Sequence, residues 1–219
     1  RWRRSARSWS SWRNRRPCNI PVTVGAVLYS PALRSDTDAM SERIVPLISA
    51  EAIQTRVDAL GAQISADYAG RASETQGLVV VSVLKGSFLF CADLVRKIDV
   101  PLRIDFLAVR SYGEATKSSG IVQIVHDLSR PIEGEDVLLV EDIVDTGLTL
   151  AHVIELLKTR RPRSLKLCSL LHKPARTKVE VPIDYLGFTI EDKFVIGYGL
   201  DGPREHYRNL PYVGVLAGE

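Results

Sequence analysis

Two acids, Glu141 and Asp142, stand where a buried strand should stay apolar, and a hydroxyl-rich turn, Asp145-Thr146-Gly147-Leu148-Thr149, follows two residues later. The turn can offer an anion its backbone N–H groups, two hydroxyls and the start of a helix. The acid pair can hold sugar hydroxyls or a hard cation. A phosphate and a diol held a few ångströms apart describe a ribose 5-phosphate. Other residues could complete such a site. Lys85-Gly86-Ser87 can present an ammonium and unobstructed N–H groups, although a bare turn capped by Ser87 would look the same. Lys173 ends an apolar run, a place where a lysine usually snorkels to the surface. Phe194 and Val195 could stack on and read a flat ligand, or simply pack in the core.

These residues need elements to position them. Val137 to Val140 is an apolar, branched run suited to a strand buried on both faces. A helical pattern follows over about 149–159 and stops at Arg160-Arg161-Pro162. Ala50 to Tyr68 carries Ile53, Val57, Leu60 and Ile64 on one helical stripe. Strands are expected at 78–83, 102–109, 121–126 and 165–171, with a helix over 88–98 and short strands near 184–188, 194–196 and 213–216. Strands alternating with helices indicate an α/β domain with a mainly parallel twisted sheet, whose ligands belong at the carboxyl ends of the strands.

The run from Val137 through Thr149 resembles the signature of the type I phosphoribosyltransferases, which bind 5-phosphoribosyl-1-pyrophosphate. The resemblance extends over roughly Met40 to Leu216 and implies a small hood built from the N- and C-terminal segments beside the sheet. It assigns the phosphoribosyl group to Glu141, Asp142, Asp145, Thr146, Gly147, Leu148 and Thr149, with Asp145 the candidate general base. Lys85 and Gly86 resemble the pyrophosphate loop, where relatives can have a cis peptide before the lysine, here Leu84–Lys85. Ser111 and Tyr112, in the polar loop 110–120, resemble a lid closing over pyrophosphate.

Asp192 to Asp201 resembles the base-binding segment of the hypoxanthine-guanine branch. It implies a purine site of Lys173, Phe194, Val195 and Asp201. Lys173 would donate to the oxygen at position 6, and a donor-only ammonium disfavours adenine's amino group. Arg208 would contact pyrophosphate, and Mg2+ would sit on Glu141, Asp142 and Asp201. The match loosens after Asp201. Gly202-Pro203 stands where a tyrosine commonly follows, and the interval to Arg208 is one residue longer. The implied reaction makes a purine nucleoside monophosphate from phosphoribosyl pyrophosphate and a 6-oxopurine. The implied enzyme is a cytoplasmic homo-dimer or homo-tetramer. A xanthine-preferring or uracil-using transferase, and a nucleic-acid-binding regulator that keeps the sugar site, are the rival readings.

Composition bears on those rivals. The chain has 219 residues and a net charge of +3, unevenly spread. Residues 1–39 hold eight arginines and two aspartates, a local +6, which leaves the remainder at −3. A net acidic body argues against nucleic-acid binding. No apolar run is long enough to suggest a membrane span. Cys18, Cys91 and Cys168 lack any metal-type spacing, and the last two sit in apolar stretches that suggest buried thiols of a reduced compartment. Residues 1–39 are rich in Arg, Ser and Trp and read as disordered. They could be a targeting peptide, a basic arm or translated upstream sequence. The composition break at Met40, the only methionine, favours the last, with residues 40–219 forming the folded domain.

Overall fold

The computed structural model of the chain describes residues 44–71, 77–111 and 122–217. The expectations for residues 1–39 and for Tyr112, and any account of the Ser111 side chain, lie outside them. Among the described residues a six-stranded sheet carries the fold. Its strands are β2 (Leu78–Leu84), β3 (Leu102–Ser111), β4 (Val122–His126), β5 (Asp136–Val144), β6 (Ser164–His172) and β7 (Tyr185–Thr189), in the order β4-β3-β2-β5-β6-β7. Every pairing is parallel except β3 with β4. The mainly parallel sheet expected from the sequence is therefore present.

β2 explains the layering. Leu78 and Val80 point to one face, Val79, Val81 and Val83 to the other, as the two-residue period of a strand requires. The first face packs against α1 (Ala50–Tyr68) and α2 (Phe88–Val95) through Ile53, Val57, Leu60, Ile64, Phe90 and Leu94. The second packs against α3 (Leu148–Thr159) through Val153, Ile154 and Leu157. Each such side chain contributes roughly 1.5–3 kcal/mol on burial, so the central strand is fixed from both sides. α1 starts at Ser49, whose hydroxyl accepts the Ala52 N–H at 3.2 Å, and all four residues of its predicted stripe are fully buried. α2 ends three residues earlier than its pattern suggested. Cys91 and Cys168 are buried, and burial raises both thiol pKa values, which keeps them unreactive.

A second, antiparallel sheet joins β1 (Ile44–Ile48), β9 (Val213–Leu216) and β8 (Val195–Ile196), in that order. It is the expected hood of N- and C-terminal segments. β1 itself is not evident in the sequence, because Pro46 lacks the N–H that a central strand donates. The structure accommodates it on an edge strand, beside a register shift between Pro46 and Ile48.

The chain leaves β2 toward β3 on one side and leaves β5 toward β6 on the other. The sheet's topological switch point therefore lies between β2 and β5. Crevices form at the carboxyl ends of strands at such points. Lys85-Gly86 and the Glu141–Thr149 segment both lie there.

Candidate active site

β5 continues through the acid pair to Val144, further than its apolar run indicated. Its pairing with β2 stops at Val140, while its pairing with β6 runs on to Val144 and His172. Glu141 and Asp142 thus stand on a strand with a neighbour on one side only, facing the crevice. Glu141 Oε2 is enclosed and has no hydrogen-bond partner. Burial, then the adjacent Asp142 charge, pushes the Glu141 carboxyl well above the usual range. Burial also raises Asp142, opposed by the N–H of Ile143, which donates to Oδ1 at 2.8 Å, and more weakly by Arg208. Two carboxyls in this state call for hydrogen-bond donors or a cation between them.

The turn that follows opens α3. Gly147 sits at its N-cap with φ 77°, and a β-carbon there would lie 2.0 Å from the Val179 carbonyl oxygen. The segment after β6 closes on the turn from the other side, since Lys178 and Val179 N–H groups donate to Thr146 O at 3.0 and 3.1 Å. The N-terminal N–H groups of α3 start at Leu148, one residue earlier than expected, between Thr146 and Thr149, an arrangement suited to an anion.

At the end of β2 the Leu84–Lys85 peptide is cis, as the resemblance implies. Gly86 presses on the acid pair: a β-carbon there would fall 1.5 Å from Asp142 Oδ2. One on Gly199 would fall 2.0 Å from Gly86 O, so the base segment abuts the same loop. The Ser87 hydroxyl bonds Val83 O at 2.6 Å and Ser82 Oγ at 2.7 Å, and makes no cap bond to α2. Lys85 Nζ lies 2.6 Å from Glu205 Oε2, a partner the sequence did not suggest.

These elements enclose a crevice of about 250 Å³ whose lining includes Lys85, Gly86, Glu141, Asp142, Thr149, Asp201 and Arg208. Arg208 reaches it despite the longer interval. Positive φ values at Arg204, Glu205 and Tyr207 compact the intervening turn; Arg208 Nη1 donates to Gly199 O at 2.7 Å, and Nη2 lies at ion-pair distance, 2.9 Å, from Asp201 Oδ2. A larger cleft of about 450 Å³ lies at the opposite, amino ends of β2 and β3, away from every one of these groups.

The cation expected on Glu141, Asp142 and Asp201 meets no ready-made cage of protein ligands among the described residues. All three line the crevice, yet among the described residues no three His, Cys, Asp or Glu side chains gather as a metal site. Asp201 is tied to Arg208 and Asp142 leans on Gly86. The donor set fits a hard ion that takes most of its oxygens from a bound substrate, as magnesium does, and not a protein cage.

Of the purine-side residues Asp201 lines this crevice, whereas Lys173, Phe194 and Val195 stand outside its lining. The Lys173 N–H donates to Val144 O at 2.9 Å, one residue before Asp145. Lys173 is only 7% exposed, whereas Phe194 is 51% exposed and Val195 is buried in β8. Asp145 meets Arg176, whose Nε lies 2.8 Å from Oδ1 at ion-pair distance, without a hydrogen bond's alignment. Arg176 Nη1 lies 3.6 Å from Asp192 Oδ1. Lys173, Asp145 and the segment carrying Phe194 therefore form one neighbourhood. Arg176 was not singled out in the sequence, because an arginine in a polar turn looks like any surface residue.

The model of the phosphoribosyl transferase domain matches residues 49–202. This chain belongs to the phosphoribosyltransferase family. Within it, the resemblance is to the hypoxanthine-guanine branch. A hypoxanthine-guanine phosphoribosyltransferase of Mycobacterium avium is 50% identical over 171 residues, 78% of this chain and 84% of the relative. A solved hypoxanthine phosphoribosyltransferase of Staphylococcus aureus is 48% identical with a TM-score of 0.74, covering 78% of this chain and 90% of that one. That of Trypanosoma cruzi, solved to study the role of its C-terminal region in oligomeric state and activity, is 43% identical with a TM-score of 0.76, over 82% of this chain and 94% of that one. Among the described residues no helix is long and apolar enough to cross a membrane.

Proposed function

We propose that this chain transfers the 5-phosphoribosyl group of phosphoribosyl pyrophosphate to hypoxanthine or guanine. The products are IMP or GMP and pyrophosphate, a purine-salvage reaction. The crevice at the β2/β5 switch point carries the reading, because it brings Lys85-Gly86, Glu141-Asp142, Thr149 and Asp201-Arg208 into one wall. On this reading the α3 N-terminus with Thr146, Gly147, Leu148 and Thr149 holds the 5-phosphate, and that remote binding energy positions C1. Glu141 and Asp142 take the ribose hydroxyls, whose donors answer the unpaired Glu141 Oε2. Lys85, Gly86 and Arg208 hold the pyrophosphate, with Ser111 and Tyr112 as its lid.

The C1–oxygen bond breaks ahead of attack, so positive charge develops on the ribose beside the two carboxylates. Asp201 and the acid pair would hold magnesium together with substrate oxygens, and the ion would supply charge neutralisation for the leaving group. Phe194 stacks on the purine and the Val195 backbone reads its edge. Lys173 donates to the oxygen at position 6, and Asp145 takes the proton at N7 as N9 bonds to C1. The working form is a cytoplasmic homo-dimer or homo-tetramer that binds no nucleic acid.

The test is base competition. The purified chain, phosphoribosyl pyrophosphate and Mg2+ are incubated with hypoxanthine, guanine, xanthine, adenine or uracil. Nucleotide formation with hypoxanthine and guanine, and far less with adenine and uracil, is expected. No nucleotide from any 6-oxopurine rejects the reading.

A further inference from the structure

Arg176 takes no part in the scheme above, yet it touches the group that the scheme makes the base. It closes the 3-10 turn Pro174–Arg176, which Lys173 caps. Arg176 follows Lys173 by three residues across that turn. The turn is anchored at both ends: Lys173 N–H donates to Val144 O at 2.9 Å and Arg176 N–H to Lys173 O at 3.1 Å. The guanidinium stands between two acids, with Nε 2.8 Å from Asp145 Oδ1 and Nη1 3.6 Å from Asp192 Oδ1. Asp192 precedes Phe194 by two residues. Asp145 Oδ1 is enclosed, while the side chain keeps 38% exposure. The other oxygen, Oδ2, is therefore the one left to meet a ligand.

The oxygen at position 6 and N7 are neighbours on one edge of a purine. A protein that reads both needs a donor and an acceptor held at a fixed spacing. We infer that Arg176 is a positioning residue for the transfer: it grips one oxygen of Asp145 and keeps the other in register with Lys173, so that N7 acceptor and O6 donor meet the purine edge together. The inference rests on the proposed phosphoribosyl transfer. Its side chain is 46% exposed, and an ion pair this open to water contributes little to stability. Its loss belongs in turnover, not in folding.

The test compares the wild-type chain, Arg176→Gln and Arg176→Lys by steady-state kinetics with hypoxanthine and phosphoribosyl pyrophosphate, each protein also being melted. Arg176→Gln should lower kcat about 10- to 100-fold, the effect of a misplaced reacting group. It should leave the KM for phosphoribosyl pyrophosphate within about twofold, since the sugar site is untouched. The melting curve should not move. Arg176→Lys keeps a charge on Asp145 but cannot also span to Asp192, and should recover part of kcat. A wild-type kcat in Arg176→Gln overturns the inference, and so does loss of its melting transition, which would make Arg176 structural. An inactive wild-type chain overturns the proposed reaction and the inference with it; an active one indifferent to Arg176→Gln overturns the inference alone.

Discussion

Gly147→Ala probes the turn on which the sugar-phosphate reading depends, and Gly134→Ala supplies its control. Both glycines have left-handed backbones, with φ 77° and 73°. For a residue with a β-carbon that conformation costs about 1–2 kcal/mol. Restricting the unfolded chain returns about 0.4–1 kcal/mol of it. A β-carbon at Gly134 meets nothing within 4 Å, so the net cost there should be about 1 kcal/mol. At Gly147 the β-carbon would lie 2.0 Å from Val179 O, and that backbone must retreat by about 1 Å or more. The retreat pulls on the two N–H bonds from Lys178 and Val179 to Thr146 O, each contributing about 0.5–1.5 kcal/mol. The total for Gly147→Ala comes to about 2–4 kcal/mol, or a fall in Tm of about 5–15 °C for a domain of this size. Displacing the first turn of α3 also misdirects its N–H groups, so kcat/KM for phosphoribosyl pyrophosphate should drop about 100-fold. Calorimetry and initial-rate kinetics on both variants check this. If Gly147→Ala matches Gly134→Ala in Tm and kcat/KM alike, the collision with Val179 is not the constraint described here.

Asp145→Ala should lower kcat by about 100- to 10,000-fold, as loss of a general base does, with little change in melting; an unaltered kcat removes Asp145 from the base role. Glu141→Gln should raise the Tm measured without added substrate while weakening phosphoribosyl pyrophosphate binding. The raised Glu141 carboxyl makes the folded state hold its proton longer than the unfolded chain does. Wild-type stability therefore falls as pH climbs past the unfolded value of 4.5, and the gap to Glu141→Gln should widen with pH in a pH–Tm series. Asp136 has the opposite sign. Its carboxyl, 4% exposed, accepts Arg163 Nε at 3.0 Å and Ser164 Oγ at 2.6 Å, and the Arg163 bond holds its pKa below the usual range. The stability it supplies is complete above the unfolded value near 3.8 and is lost as pH falls through the lower folded value. Asp136→Asn should cost about 1.5–3 kcal/mol at pH 7, read by denaturant unfolding, and progressively less in acid.

What the sequence made legible was local. α1 is readable because four apolar residues repeat at helical spacing, and its limits coincide with the pattern. The turn that opens α3 is readable because Gly147 and its hydroxyl neighbours are consecutive. The illegible parts are contacts between distant segments. Lys85 and Glu205 pair across 120 positions, and Arg176 meets Asp145 from the far end of β6. Neither partner departs from what a surface turn ordinarily contains. β1 fails for a different reason: Pro46 argues against a strand unless the strand is known to lie on an edge, and edge position is a property of the assembled sheet.

The change from apolar to acidic at Glu141 shows how a tertiary fact can leave a local mark. β5 is apolar from Val137 to Val140, and those four residues span its whole pairing with β2. Beyond Val140 it keeps β6 as its neighbour and loses β2, whose last residues pair only with β3. A strand with sheet on both sides and helices on both faces tolerates no charge. A strand that has just lost one neighbour opens onto the crevice, where a carboxylate costs less than against β2 and can meet a ligand. The site therefore begins where the sheet divides, and the position of the first acid marks that division one residue after the last β2 contact. Moving the acids inward tests the link between the two. Val140→Asp should place a charge against β2 at Ser82 and unfold the domain. Ile143→Asp, on the partly exposed stretch already free of β2, should fold and lose less.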